Sequence, residues 1–208
     1  MNTTTPQNTA PAAAERLERC AEALRRHGFD AVVVATPEEA FACMKEEIER
    51  EAPGLVSFGD SMTMRETGII EWLRGDERFT LLDGFDASMP RPERLEIRRR
   101  ALMSDLFITG INAVTTAGTL HWLDMVGNRI APVAFGPRKV LLVAGRNKLT
   151  ESREEAEQLY DNIYHLRQFL SGRTLWVGNT PVADAYPMAN YNCAFEVIDD
   201  YHAYHDLF

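Results

Sequence analysis

Four segments share one chemical pattern: an apolar run, then a glycine, then residues that bind anions. They are "VSF-GDSMT", "FIT-GINA", "LVA-GRNK" and "LWV-GNT". Glycine lets the backbone turn tightly and lets a ligand approach the amides. The hydroxyl, amide and cationic side chains behind it are the donors an oxyanion needs. Ordinary turn chemistry also puts glycine after a strand. Four such junctions on one sheet edge make a rim for a small anionic ligand the sharper reading.

Each junction offers named groups. Ser61 and Thr63, behind Gly59, sit at a predicted helix start, where free N–H groups favour an anion. Thr63 with Glu66 also fits a capping box, which needs no ligand. Glu66 lies about 40° around the helix from Met62, near Ile69 and Leu73 by helical spacing, so it is expected to face inward. A carboxylate held there could act as acid or base with a raised pKa. Gly110 leads to Asn112, and Gly145 to Arg146 and Lys148. Two cations at one strand end of a net-acidic chain make an anion clamp; a solvated loop start accounts for them equally well.

The segment from Asn112 to Arg129, "NAVTTAGTLHWLDMVGNR", is long, small and polar, and a connection of that length needs a reason. Within it "TLHWLDM" alternates like a strand, which sends His121 and Asp124 to opposite faces, so they form no dyad. His121 reads as a packed histidine. Asp124 is the second acid or base candidate, although before a turn it can also bond its own backbone. Arg129, after Gly127-Asn128, carries the guanidinium suited to a carboxylate or phosphate. The segment is expected to form one wall of the pocket, with Gly118, Thr119, Asn128 and Arg129 as ligand-binding residues.

These groups hang on a regular series of elements. A helix from about Ala13 to His27 stops at Gly28, and "FDAVVVA" reads as a buried strand. Thr36-Pro37-Glu38-Glu39 opens the next helix with a capping box and buries Phe41, Met44 and Ile48. "LVSF", "FTLLD", "DLFIT" and "KVLLVA" are strands, with helices to about Arg74 and over "PERLEIRRRALM". A helix from about Ser152 to Leu170 precedes "TLWV" and "AFEVI". Strands alternating with helices imply crossover units, hence an α/β fold with a mainly parallel sheet and helices on both faces. Residues 1–12 are expected to be a disordered lead-in and 13–208 a single domain.

Composition narrows the function. The net charge of −9 argues against a duplex nucleic-acid binder. The "RRR" at Arg98–Arg100 reads as a solvated helix surface, since three consecutive residues point three ways. No run approaches the roughly 18 apolar residues of a membrane span, and the N-terminus lacks the features of a signal peptide. Cys20, Cys43 and Cys193 form no C-x-x-C pair, so no metal site or cofactor is evident. Cys20 shares a helical stripe with Leu17, Ala21 and Leu24, as a core thiol does. A reducing cytoplasm fits. G-x-G-x-x-G, Walker A and G-x-S-x-G signatures are absent.

Taken together, "FGDSMTMRETGIIEWL", "DLFITGINAVTTAGTLHWLDMVGNRIA" and "FGPRKVLLVAGRNKL" resemble the LUD (lactate-utilisation) domain family. The ordered series Asn112-Ala113, Gly118-Thr119-Leu120, Gly127-Asn128-Arg129, Gly136-Pro137 and Gly145-Arg146-Asn147-Lys148 carries the likeness. The resemblance implies a fold like that of the ribose-phosphate isomerase and CoA-transferase superfamily. It also implies a role in oxidation of lactate to pyruvate beside iron–sulfur partner proteins. A non-catalytic assembly subunit, or an enzyme on sugar phosphates or CoA esters, follows from the same likeness, and a homo-oligomer is compatible with it. The resemblance carries no set of catalytic residues with it. Two departures stand out: Gly59-Asp60 replaces the expected glycine pair, and Cys193 stands alone where short relatives carry a cysteine cluster.

Overall fold

A computed structural model describes residues 10–124, 127–159 and 194–196. In chain order the first elements are α1 (Ala10–Arg26), α2 (Pro37–Glu51), β1 (Leu55–Gly59), α3 (Met62–Thr67), α4 (Ile69–Gly75), β2 (Thr80–Leu82) and α5 (Arg91–Arg100). Then follow β3 (Leu106–Gly110), β4 (Ala113–Thr115), β5 (Leu120–Leu123), α6 (Ile130–Ala134), β6 (Lys139–Val143), β7 (Leu149–Thr150) and β8 (Ala194–Glu196). They form two compact units interleaved along the chain. Among the described residues, one holds Val34–Ile111 and Asp124–Val143, and the other holds 10–33, Asn112–Leu123, 144–159 and 194–196.

The first unit is a parallel sheet in the order β2-β1-β3-β6. Strand β3 is buried throughout, as a strand with neighbours on both sides must be. Val56 and Phe58 of β1 and Leu106 and Ile108 of β3 share a face by alternation. They pack against Met44 and Ile48 of α2, Met64 of α3, and Ile69, Ile70 and Leu73 of α4. Each buried side chain of this size contributes about 1.5–3 kcal/mol. Helix α5 contacts β2, and the 3-10 turn Ala101–Met103 contacts β1. The α/β class with a mainly parallel sheet is therefore as expected. Helix α2 also starts as expected: Thr36 accepts a hydrogen bond from the Glu39 N–H, and Glu39 returns one from the Ala35 N–H.

The second unit is a mixed sheet in the order β7-β4-β5-β8, which the alternation of strands and helices did not anticipate. Strands β4 and β5 form an antiparallel hairpin with Ala113 opposite His121. Gly118 turns it with φ +84°, and a Cβ there would lie 3.0 Å from the Ala23 side chain of α1. Cys20, Ala21 and Ala23 are the buried face of α1. Burial pushes the Cys20 thiol up to about 11, as suits a core cysteine.

Two further expectations change. "FDAVVVA" pairs with no strand among the described residues, and Val32 and Val33 are exposed. An apolar run signals a strand only where the fold supplies neighbours for it, and periodicity does not reveal that. "KVLLVA" forms β6, but as an edge strand it is only half-buried along its length. Helix α1 begins at Ala10, earlier than expected. Residues 153–159 are helical. The rest of that predicted helix, the strand "TLWV" and residues 1–9 lie outside the described residues. Among the described residues no helix is long and apolar enough to cross a membrane.

In the second unit Glu151 ties α1 to the hairpin. It pairs with Arg16 and Arg19, the latter at 3.0 Å, and accepts from the Thr116 hydroxyl at 2.9 Å. Desolvation pushes its carboxyl up, but Thr116 and the two guanidiniums outweigh that and hold it below the ordinary 4.5. A depressed folded pKa means the contribution is full above the ordinary value and is lost as pH falls through the lowered one. Glu151→Gln is expected to cost about 1 kcal/mol at neutral pH. In urea titrations its gap from the parent should close below about pH 4; a gap that stays constant to pH 3 would contradict the network.

Candidate functional site at the carboxyl edge of the parallel sheet

Strands β1 and β3 are neighbours, so two of the four glycine junctions meet at one sheet edge, where α/β proteins bind ligands. Gly59 lies opposite Thr109, and Gly110 lies opposite Val143. The space beside these glycines is occupied by side chains of the protein itself. A Cβ on Gly59 would sit 2.6 Å from Thr109 Oγ1 and 2.7 Å from Arg129 Cγ. One on Gly110 would sit 2.5 Å from Ser61 Oγ. The glycines therefore admit Arg129 and Ser61 across the strand ends. Gly59, Ser61, Gly110 and Arg129, from three separate stretches of chain, are brought together.

Ser61 caps α3, its Oγ accepting from the Met64 N–H at 3.1 Å. The cap falls there and not at Thr63, which is half-buried inside the first turn. Glu66 is exposed, as is Met62 on the same side. Its expected inward position assumed one helix from Met62 to Leu73. Instead α3 ends at Thr67, Gly68 takes φ +77°, and α4 starts afresh at Ile69. The helical phase is reset between them. Asp60, the departure noted beside the anion rim, accepts two hydrogen bonds from Arg65, each of 2.8 Å. Its charge is matched by that fork.

Asp124 is buried and accepts from the backbone N–H groups of Arg129 at 2.7 Å and Ile130 at 3.3 Å. Its other oxygen lies 3.6 Å from Arg129 Nε. A carboxylate at the first amides of α6 is favourable on electrostatic grounds. It also holds Arg129 by backbone and side chain at once. Asn128 is half-buried in the same turn, after Gly127 with φ +76°.

Arg98 differs from its two neighbours in the arginine run. Arg99 and Arg100 are exposed, but Arg98 is half-buried against the turn that follows β2. Its guanidinium carbon lies 4.2 Å from the Phe85 ring centroid, and its Nε–H donates to the Gly84 carbonyl at 3.0 Å. Burial, then the nearby Arg94, lowers its pKa, while Asp124 and Asp60 act in the opposite direction. The signal was helical phase: Arg98 falls on the side of Arg91 and Arg94, away from Arg99 and Arg100.

The remaining candidates lie in the other unit. Asn112 donates its N–H to the His121 carbonyl at 3.0 Å and accepts from the Leu123 N–H at 3.1 Å, clasping the hairpin. Thr119 donates its N–H to Thr115 Oγ1 at 3.1 Å. Gly145 caps the 3-10 turn Arg146–Lys148, in which Arg146 is exposed and Lys148 half-buried. His121 is buried, as a packed histidine should be. The fourth glycine junction, at Gly178, lies outside the described residues. An open hollow of about 430 Å³ lined by Trp72, Gly75, Asp76 and Glu77 precedes β2, at the opposite edge of the parallel sheet. Among the described residues no group of three His, Cys, Asp or Glu side chains could hold a metal ion.

A parallel sheet with an arginine laid across its carboxyl edge defines an α/β protein with its candidate site at the strand ends. The LUD domain model matches residues 17–180, and the chain belongs to that family. Among solved structures it is similar to a DUF162 family protein from Deinococcus radiodurans. The two share 14% identity over 79% of this chain and 87% of that one, with a TM-score of 0.47. No curated protein matches the chain.

Substitution at the glycines tests this packing. Gly59→Ala and Gly110→Ala should each cost about 1–3 kcal/mol, because Arg129 or Ser61 must move. Gly75→Ala, with nothing within 4 Å of the added Cβ, should stay within about 0.5 kcal/mol of the parent. Equal costs at all three in urea unfolding would rule out the close approach.

Proposed function

We propose that this LUD-domain protein binds a small anionic metabolite at the carboxyl edge of its parallel sheet, in organic-acid metabolism of the lactate–pyruvate kind. The observation that carries the reading is Arg129. Its stem crosses Gly59, while its backbone N–H and its Nε both face the buried Asp124. A guanidinium held this way is preorganised for a carboxylate, which it can meet with a two-pronged hydrogen-bonded pair. Ser61 and Gly110 flank it, Thr63 follows in the first turn of α3, and Asp124 serves to position it. The free thiols Cys20 and Cys43 suit a reducing cytoplasm.

A second reading is an assembly subunit beside an iron–sulfur oxidoreductase. It is favoured by one observation: Ser61, Asn112 and Asp124 each spend side-chain oxygens on backbone amides. Thermal-shift assays with lactate and pyruvate separate the two. A ligand at a hundred times its Kd adds about 2.7 kcal/mol, a rise of about 5–10 °C for a chain of this size. Arg129→Gln should abolish that rise while leaving the ligand-free Tm within a few degrees of the parent. No rise with either acid, together with co-purification of redox partners, would favour the assembly subunit.

A further inference from the structure

Helix α5 carries a basic face that the carboxylate site leaves unused. Arg91, Arg94 and Arg98 recur at i, i+3 and i+7, so they line one side of the helix. Arg98 is fixed by the Phe85 ring and the Gly84 carbonyl. Gly84 must be small here, since a Cβ would meet Arg98 Cγ at 2.6 Å. These contacts engage Nε and the face of the guanidinium and leave its two Nη groups as donors. One turn earlier, the Nε–H of Arg94 is buried and meets no acceptor among the described residues. Leaving such a donor unmatched is costly, which points to a partner supplied by a ligand.

The neighbouring carboxylates are already engaged. Asp60 is taken by Arg65, and Asp124 by two backbone amides and Arg129. Asp86, in electrostatic reach of Arg94, accepts from the Ser88 N–H at 2.9 Å. Glu93 and Glu96 are exposed on α5, and Glu96 pairs with Arg99. Among the described residues neither Arg94 nor Arg98 forms an ion pair with a carboxylate. The Phe85 ring under Arg98 stacks on Phe58, the residue before Gly59, with centroids 5.6 Å apart, so this face adjoins the Arg129 site within the same unit.

We propose that Arg94 and Arg98 form a second anion subsite that takes a phosphoryl group of the ligand whose carboxylate Arg129 holds. The ligand class is then a phosphorylated carboxylic acid. This rests on the carboxylate reading above. Two guanidiniums on successive turns offer the donors and charge that a dianionic, three-oxygen group accepts.

Calorimetric titration of the full chain with 3-phosphoglycerate, glycerate, malate and inorganic phosphate tests it. The phosphorylated acid should bind at least about tenfold tighter than glycerate, and inorganic phosphate should bind alone. Arg94→Gln should reduce 3-phosphoglycerate to the level of glycerate while leaving glycerate unchanged, and Arg98→Gln should do the same. Arg129→Gln should weaken both acids together. Equal binding of the two acids, with glycerate still dependent on Arg129, overturns the subsite alone. So does a phosphoryl advantage that survives Arg94→Gln, or malate binding as tightly as 3-phosphoglycerate. Inorganic phosphate binding through Arg94 without any glycerate binding overturns the carboxylate reading and leaves the subsite. If none of the four binds, both fall.

Discussion

The candidate site depends on a steric constraint at the ends of two adjacent strands. Gly59 and Gly110 carry no Cβ, and Arg129, Thr109 and Ser61 occupy the space one would need. Parallel pairing of β1 with β3 sets these glycines side by side, and the buried core under β1 and β3 keeps them there. An interior at native packing density has no slack to absorb an added methyl group. The arginine is thus placed by the sheet and not by its own loop alone.

Charge is organised around that placement. Two carboxylates stand near the rim of a net-acidic chain, and each is matched locally. Asp60 meets Arg65 through a fork, and Asp124 gathers backbone amides and the Arg129 side chain. Among the described residues Arg94 and Arg98 of α5 form no ion pair, whereas Arg99 pairs with Glu96. Arg98 is held by an aromatic ring and a carbonyl, so its cation is kept half-buried without a carboxylate in contact. Such a cation gains most from an anion that arrives as ligand.

The hairpin unit follows a different logic. Its polar groups hold the unit together: Asn112 clasps two strands, Thr115 and Thr119 close a turn, and Glu151 fastens α1 to the Thr116 side chain. Rim residues expected to act together are consequently divided between two units. Residue type suggested ligand binding at Asn112 and Thr119, because amides and hydroxyls serve ligands and backbones alike.

Local patterns determined much of what was found. Periodicity located β1, β3, β6 and the core face of α2, while Thr36-Pro37 and Gly28 marked helix ends. The family likeness was written in the order of its glycines and cations. Other features depended on partners distant in sequence. Whether "FDAVVVA" becomes a strand depends on neighbours, and whether Glu66 faces inward depends on a helix break at Gly68. Whether Arg98 is solvated like Arg99 and Arg100 depends on Gly84 and Phe85, which lie under it. The amino-acid sequence by itself determined the α/β class, the start of α2 and the chemical types available at the rim, since these follow from short-range spacing. Only the tertiary structure decided which glycines meet, which carboxylates are matched and which arginines match them, because steric room and charge balance are set by residues far apart in the chain.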